Sequence, residues 1–210
     1  MKKLYFVAAL VALVPAQAIA QDETESFSGP RAEIQLGYDT VGLEFTDGVD
    51  TVKGDKSGFA YGAEVGYDHD FGKGVIGIYG NGNLASTKAC GEVYGLDELC
   101  LKTRHQLAAG IRLGVKPTEN LLVYGKLGYV DTRLKLTYVD YEGILENYSE
   151  KGGRSGIQFG GGVEARVGSR AYLKAEYMRS NYKSFTYDED EGIRGDLSRE
   201  QIMAGVGVRF

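Results

Sequence analysis

Two histidines, two cysteines and one run of four acids are the side chains here whose type and spacing best suit chemistry. His69 lies between Asp68 and Asp70, a triplet that reads as a solvated turn in which Asp side chains bond nearby backbone. His105 needs a neighbouring hydroxyl to drive acyl transfer, but two residues on stands Leu107, so the imidazole has no nucleophile to activate. Gly80, Gly82 and Ala85 fit G-x-G-x-x-A after an apolar strand. That motif holds a pyrophosphate only where a helix follows, and residues 86–95 lack helical periodicity. Asp188, Glu189, Asp190 and Glu191 have the acid density of a calcium loop, yet Gly192 falls one place early and the twelfth position is Arg199. A solvated loop is the expectation, with weak divalent-cation contact as its alternative. No catalytic residue, metal ligand or cofactor site is therefore assigned.

The elements that position these residues begin with a leader. Lys2 and Lys3 precede an apolar stretch from Leu4 to Val14, and Ala18, Ile19 and Ala20 close it in small-x-small form. Residues 1–20 read as a secretory signal peptide, too short in its apolar part to cross a bilayer as a helix. Cleavage before Gln21 would leave 22 basic against 29 acidic side chains, a formal charge of −7. Such a chain is a poor nucleic-acid binder. Export also carries Cys90 and Cys100, the only cysteines, through an oxidising compartment, so one disulfide closing a small loop is expected rather than two thiols.

Residues 157–167 alternate strictly. Ile157, Phe159, Gly161, Val163, Ala165 and Val167 are uncharged, with Gln158, Gly160, Gly162, Glu164 and Arg166 between them. Similar alternation marks 32–38, 59–67, 76–84, 105–115, 123–129, 173–177 and 202–210, giving eight strands. The connections near 68–74, 116–120 and 168–170 are short. Those at 40–57, 86–101, 137–153 and 180–197 are long and polar. Long and short connections alternate, as they do when one end of a barrel carries tight periplasmic turns and the other carries external loops.

Period two alone allows a soluble barrel with an apolar interior as well as a membrane barrel with a polar one. Composition decides between them. The polar face carries many glycines, including Gly62, Gly66, Gly110, Gly114, Gly160, Gly162, Gly205 and Gly207, which suit a cramped lumen. It also carries both charge signs: Glu33, Glu64, Glu164 and Glu176 face Arg104, Arg112, Lys126, Arg166, Lys174, Arg199 and Arg209. The other face has no charge in any of the eight segments, as lipid demands when a midplane Arg or Lys costs about 2–4 kcal/mol. Tyr38, Tyr67, Tyr129 and Phe210 fall near strand ends, where an interfacial girdle belongs.

On these residues the chain resembles the small bacterial outer-membrane β-barrel proteins, which include opacity-type surface proteins and the membrane domain of outer-membrane protein A. The resemblance spans Arg31 to Phe210. It is most specific in the last strand, where Ile202, Ala204, Val206, Val208 and Phe210 look like the signal read by the barrel-assembly machinery. GGGVE at 160–164 and YGKLGY at 124–129 are similar to the family's internal strands. The resemblance implies an all-β fold, an eight-stranded antiparallel up-and-down transmembrane β-barrel over 31–210, with 21–30 as a short periplasmic segment. It also implies residence in the Gram-negative outer membrane among lipid and lipopolysaccharide. The peptidoglycan-tethering role of outer-membrane protein A is not carried over, because no such domain follows residue 210.

The functional expectation is a monomeric, non-enzymatic barrel with a lumen filled by paired side chains, serving envelope integrity or surface binding through loops 40–57, 86–101, 137–153 and 180–197. The acidic run gives one of those loops a possible lipopolysaccharide-bridging role. The alternatives are a narrow channel for small solutes or ions and a lipid-modifying enzyme, the latter unsupported by any motif.

Overall fold

A computed structural model describes residues 27–46, 51–86, 88–93, 97–140, 148–188 and 193–210. The described residues form ten strands: β1 (Gly29–Thr46), β2 (Thr51–Asp70), β3 (Gly74–Ala85), β4 (Lys88–Val93), β5 (Asp97–Thr118), β6 (Leu121–Asp140), β7 (Tyr148–Val167), β8 (Ala171–Tyr182), β9 (Phe185–Asp188) and β10 (Ile193–Arg209). Eight make the wall in the order β1-β2-β3-β5-β6-β7-β8-β10, every neighbour antiparallel, and β1 pairs with β10 to close the cylinder. Closure removes the open edges that water or another chain would otherwise have to satisfy. The short β4 and β9 prolong β3 and β8 after breaks and pair with β5 and β10 respectively.

Alternation sets which side of each strand meets lipid. Ile34, Leu36, Phe59, Ile78, Ile111, Leu127, Ile157, Leu173 and Val206 are all exposed on the outer face. Ile202, Ala204, Val206 and Val208 on β10 share it, as does Phe210 just after the strand. Their counterparts one residue along are buried in the lumen, so the apolar band lies outside and the polar face inside. Aromatic side chains bound this band, and Tyr38 and Phe59 pack edge to face across β1 and β2 with ring centroids 6.0 Å apart.

Several expectations need correction. The described residues of the segments at 40–57, 86–101, 137–153 and 180–197 are mostly strand rather than loop. They are two-stranded ribbons, with β1 and β2 paired to Thr46 and Thr51, and β6 and β7 paired to Tyr138 and Tyr148. At 54–57 four consecutive residues are exposed, so there the alternation disappears while the backbone ladder continues. Wall strands consequently run 12 to 22 residues, where about 10 would cross the bilayer. His69 is a strand residue opposite Ile76, not a turn residue. The segment 21–30 also ends earlier than expected, because Gly29 and Pro30 already belong to β1 and Phe27 is buried in the mouth of the barrel. Glu189, Asp190, Glu191 and Gly192 lie outside the described residues, as do residues 1–20.

Candidate functional site

The lumen concentrates nearly all of the molecule's buried polar side chains, and each wall strand contributes because its inward positions recur every second residue. Six cations, Arg31, Arg112, Lys126, Lys174, Arg199 and Arg209, are buried together with six anions, Glu33, Asp39, Glu64, Asp68, Glu164 and Glu176. The interior is thus charge-balanced among the described residues. A buried ion is tolerated only when paired, and each of these six cations lies against at least one of the carboxylates.

Near the end of the barrel that holds Gly29 and Phe210, three arginines converge on Asp68, and two of them also on Glu164. Arg112 Nη2 donates to Asp68 Oδ2 at 2.7 Å and to Glu164 Oε2 at 2.8 Å. Arg209 reaches the same pair through Nη1 and Nη2, both at 2.8 Å. Arg31 adds Asp68 at 3.2 Å and Glu64 at 2.8 Å. One layer further in, Lys126 Nζ lies 2.6 Å from Glu64 and 2.8 Å from Glu176, while Lys174 contacts Glu33 and lies 3.4 Å from Glu176. Two hydroxyls join the network: Tyr124 donates to Glu176 at 2.9 Å and Tyr172 to Glu33 at 2.7 Å. The Lys126 ammonium also rests 4.2 Å from the centre of the Tyr79 ring, and the Arg112 guanidinium 4.5 Å from that of Tyr124, a favourable placement over the negative ring face.

Toward the opposite end the lining becomes amide-rich. Gln35 donates to Asn83 at 2.7 Å and Gln158 to Ser180 at 3.1 Å, and Arg199 bridges Asp39 and Gln106. An apolar layer of Val41, Ala108, Val130, Tyr182 and Leu197 lies beyond it. The mouth at the Gly29 end is closed in the same way by Phe27, Val75, Leu122 and Tyr124. The Phe27 ring is ringed by cations, with Arg209 at 5.5 Å, Arg166 at 5.7 Å and Lys116 at 6.0 Å. Its N–H donates to Asp70 at 3.0 Å. Two glycines show why small residues line this interior: a Cβ on Gly66 would meet Arg31 Nη2 at 2.8 Å, and one on Gly162 would meet the Tyr124 hydroxyl at 2.8 Å.

Of the expected lumen charges, Glu64, Arg112, Lys126, Glu164, Lys174, Glu176 and Arg209 form one connected network. Arg199 belongs to the separate amide layer. Arg166 sits at the mouth, half-buried, donating to the Ser169 carbonyl at 3.4 Å. Arg104 is the extra residue of a bulge between Thr103 and His105, and its side chain lies outside the described residues. Arg31, Asp39, Asp68 and Phe27 went unrecognised in the sequence. Asp68 continues the inward rhythm of Gly62, Glu64 and Gly66, but its turn-forming neighbours hid that phase. Phe27 is likewise in phase with Arg31 and Glu33, with no alternation of its own to mark it.

This arrangement offers little to chemistry. The six lumen carboxylates share their enclosure with an equal number of cations, and both histidines lie on the outer side of the wall. No group of three or more His, Cys, Asp or Glu suited to a metal occurs among the described residues. The ladder sets Cys90 directly opposite Cys100 across β4 and β5.

Residues 6–210 match the family described as outer membrane protein beta-barrel domain. No curated protein matches the chain. Among solved structures, Ail, the attachment invasion locus protein of Yersinia pestis, is similar at 17% identity and TM-score 0.50, covering 87% of this chain and 99% of that one. A major outer membrane protein from Thermus thermophilus is similar at 12% identity and TM-score 0.50, covering 85% and 99%. The outer membrane protease OmpT from Escherichia coli aligns at 12% identity and TM-score 0.48, covering 87% and 97%. At these identities the first two likenesses concern fold alone.

Proposed function

The chain belongs to the outer membrane protein β-barrel family, and from that premise we propose that it is a non-enzymatic barrel whose filled lumen is structural and whose external hairpins make its surface contacts. The observation that carries this reading is the interior itself: six cations neutralise six carboxylates, with an apolar layer at each end. An eight-stranded barrel has room for side chains and little else, so the enclosed charges replace a hydrophobic core and give no route for ions. Binding then falls to ribbons held on a rigid scaffold, at 40–57, 86–101, 137–153 and 180–197. Ail shares the scaffold, and what its name says of attachment belongs to Ail.

In this reading the barrel is exported by a cleaved leader, is inserted by the barrel-assembly machinery through its Phe210 strand, and stands as a monomer among lipid and lipopolysaccharide. Planar-bilayer recording of the folded protein tests the closed lumen, and a silent trace is expected. Discrete current steps that vanish on substitution of Lys126 would establish a channel instead. Mass analysis of lipid A after incubation with the barrel tests the absence of enzyme activity, and altered acyl chains would overturn it.

A further inference from the structure

The chain enters the mouth at the Gly29 end as a short inward strap, Phe27 and Ser28. Gly29 makes the bend: its φ is +116°, and a Cβ there would meet the Phe210 carbonyl oxygen at 2.3 Å, so the hinge needs glycine. Beyond the hinge the Phe27 ring is fully buried with Val75, Leu122 and Tyr124. Both of its backbone groups are held. Arg209 donates to the Phe27 carbonyl, and the Phe27 N–H donates to Asp70 Oδ2 at 3.0 Å.

Asp70 gathers the contacts of this strap. Its own N–H donates to Ser28 Oγ at 2.8 Å, Oδ2 also accepts from Lys116 Nζ at 2.6 Å, and Oδ1 accepts from the Gly72 N–H at 2.9 Å. One carboxylate at the end of β2 thus joins the strap, the turn into β3 and the end of β5. Lys116 N–H donates to the Lys73 carbonyl at 3.0 Å, which fixes β5 against the same turn. Three cations border the strap: Lys116 of β5, Arg166 of β7 and Arg209 of β10 lie 6.0, 5.7 and 5.5 Å from the centre of the Phe27 ring. On β2 itself Asp68 is engaged by Arg31, Arg112 and Arg209, while His69 and, in the turn, Lys73 are exposed. Arg209 keeps its charge at any ordinary pH and is anchored in the lumen by Asp68 and Glu164. Asp70 is the attachment that can change charge.

We propose that Phe27 and Ser28 are a hinged strap across the mouth, that Asp70 is its clasp, and that protonation of Asp70 releases it. The neutral acid loses the Lys116 ion pair and holds the Phe27 and Gly72 N–H groups more weakly, because hydrogen bonds to a charged acceptor are about twice as strong as neutral ones. Partial burial pushes the Asp70 carboxyl up, but the hydrogen bonds from Lys116, Phe27 and Gly72 outweigh it and hold the group below its ordinary range. A depressed carboxyl favours the closed strap at neutral and mildly acid pH, and that contribution is lost as the pH falls through the depressed value. The mouth therefore stays shut until the medium is strongly acid. Opening hydrates the ion layer of Arg209, Asp68 and Glu164 while the wall ladder stays paired.

The chain contains no tryptophan, so Phe27→Trp places a single fluorophore on the strap, with a ring that keeps the cation contacts. In folded barrel held in detergent at neutral pH, the indole is shielded from acrylamide. Acidification makes it quenchable and moves its emission to the red while the protein keeps its folded mobility on gels. Adding Asp70→Asn raises the open-to-closed ratio at neutral pH by about tenfold to a hundredfold, the range for losing a hydrogen bond to a charged group, and abolishes the acid response. In the protein with Phe27 intact, the Phe27 amide proton resonance moves upfield along the same titration, a readout independent of how the larger indole fits. Continued shielding in acid, continued shielding in Phe27→Trp/Asp70→Asn, opening that comes only with loss of folded mobility, or a Phe27 amide indifferent to pH overturns the proposal.

Discussion

Glu164→Ala removes one of two carboxylates that hold Arg112 and Arg209 at the Gly29 end of the lumen. Both Glu164 oxygens accept from guanidinium nitrogens at 2.8 Å, and the side chain is fully buried. Its loss leaves five anions among six cations. Breaking a buried pair by removing one partner costs about 3–5 kcal/mol. Asp68 still accepts from both arginines, at 2.7 and 2.8 Å, so the lower end applies, about 3 kcal/mol. That shifts the folded-to-unfolded ratio more than a hundredfold. The chain has no tryptophan, so urea unfolding in lipid vesicles is best followed by the electrophoretic shift between folded and heated forms. Glu164→Gln keeps the volume and removes the charge, and should lose most of the same stability, assigning the effect to charge rather than to a cavity. Arg112→Met/Glu164→Gln restores neutrality and should be more stable than the summed single losses predict, with a coupling of about 1.5 kcal/mol or more. An unfolding midpoint for Glu164→Ala equal to the parent's, or single losses that simply add, would refute the ion-paired core.

Phe27→Ala should lower stability by about 3 kcal/mol through loss of a fully buried ring, read as an earlier midpoint in the same gel-shift assay; an unchanged midpoint would show that the ring does not seal the mouth. Protein taken from the outer membrane without reductant should resist thiol alkylation at Cys90 and Cys100 and run as one species with a stapled β4–β5 hairpin. Ready labelling of both cysteines would exclude the disulfide.

The wall was legible in the sequence wherever a strand separates lipid from lumen, because that boundary imposes period two on side-chain polarity. Residues 157–167 and 202–210 show this alternation along their whole length. It faded where the boundary ended. Past the apolar layer of Val41, Val130 and Leu197 the pattern lapses, as at 54–57 where four consecutive residues are exposed, so 40–57 read as a loop although its described residues are paired. The charge network was readable for the same reason and to the same extent: Glu64, Lys126, Lys174 and Glu176 lie within alternating segments, while Asp68 and Arg31 lie at their ends. Partner choice was not readable. No spacing rule in one dimension announces that Arg112 on β5 meets both Asp68 on β2 and Glu164 on β7.

The seam between β1 and β10 has a consequence for the order of assembly. Phe210 N–H reaches the Pro30 carbonyl at 2.9 Å, and Arg209 holds the Phe27 carbonyl. Two of the six buried cations, Arg199 and Arg209, arrive on this last strand, so a seven-stranded intermediate holds four cations among six carboxylates. Such an intermediate must stay hydrated and splayed, since its acids lack counterions. The arrival of β10 therefore zips the wall, completes the electrostatic balance and seats the stopper in a single event, which makes that strand the latch against premature closure.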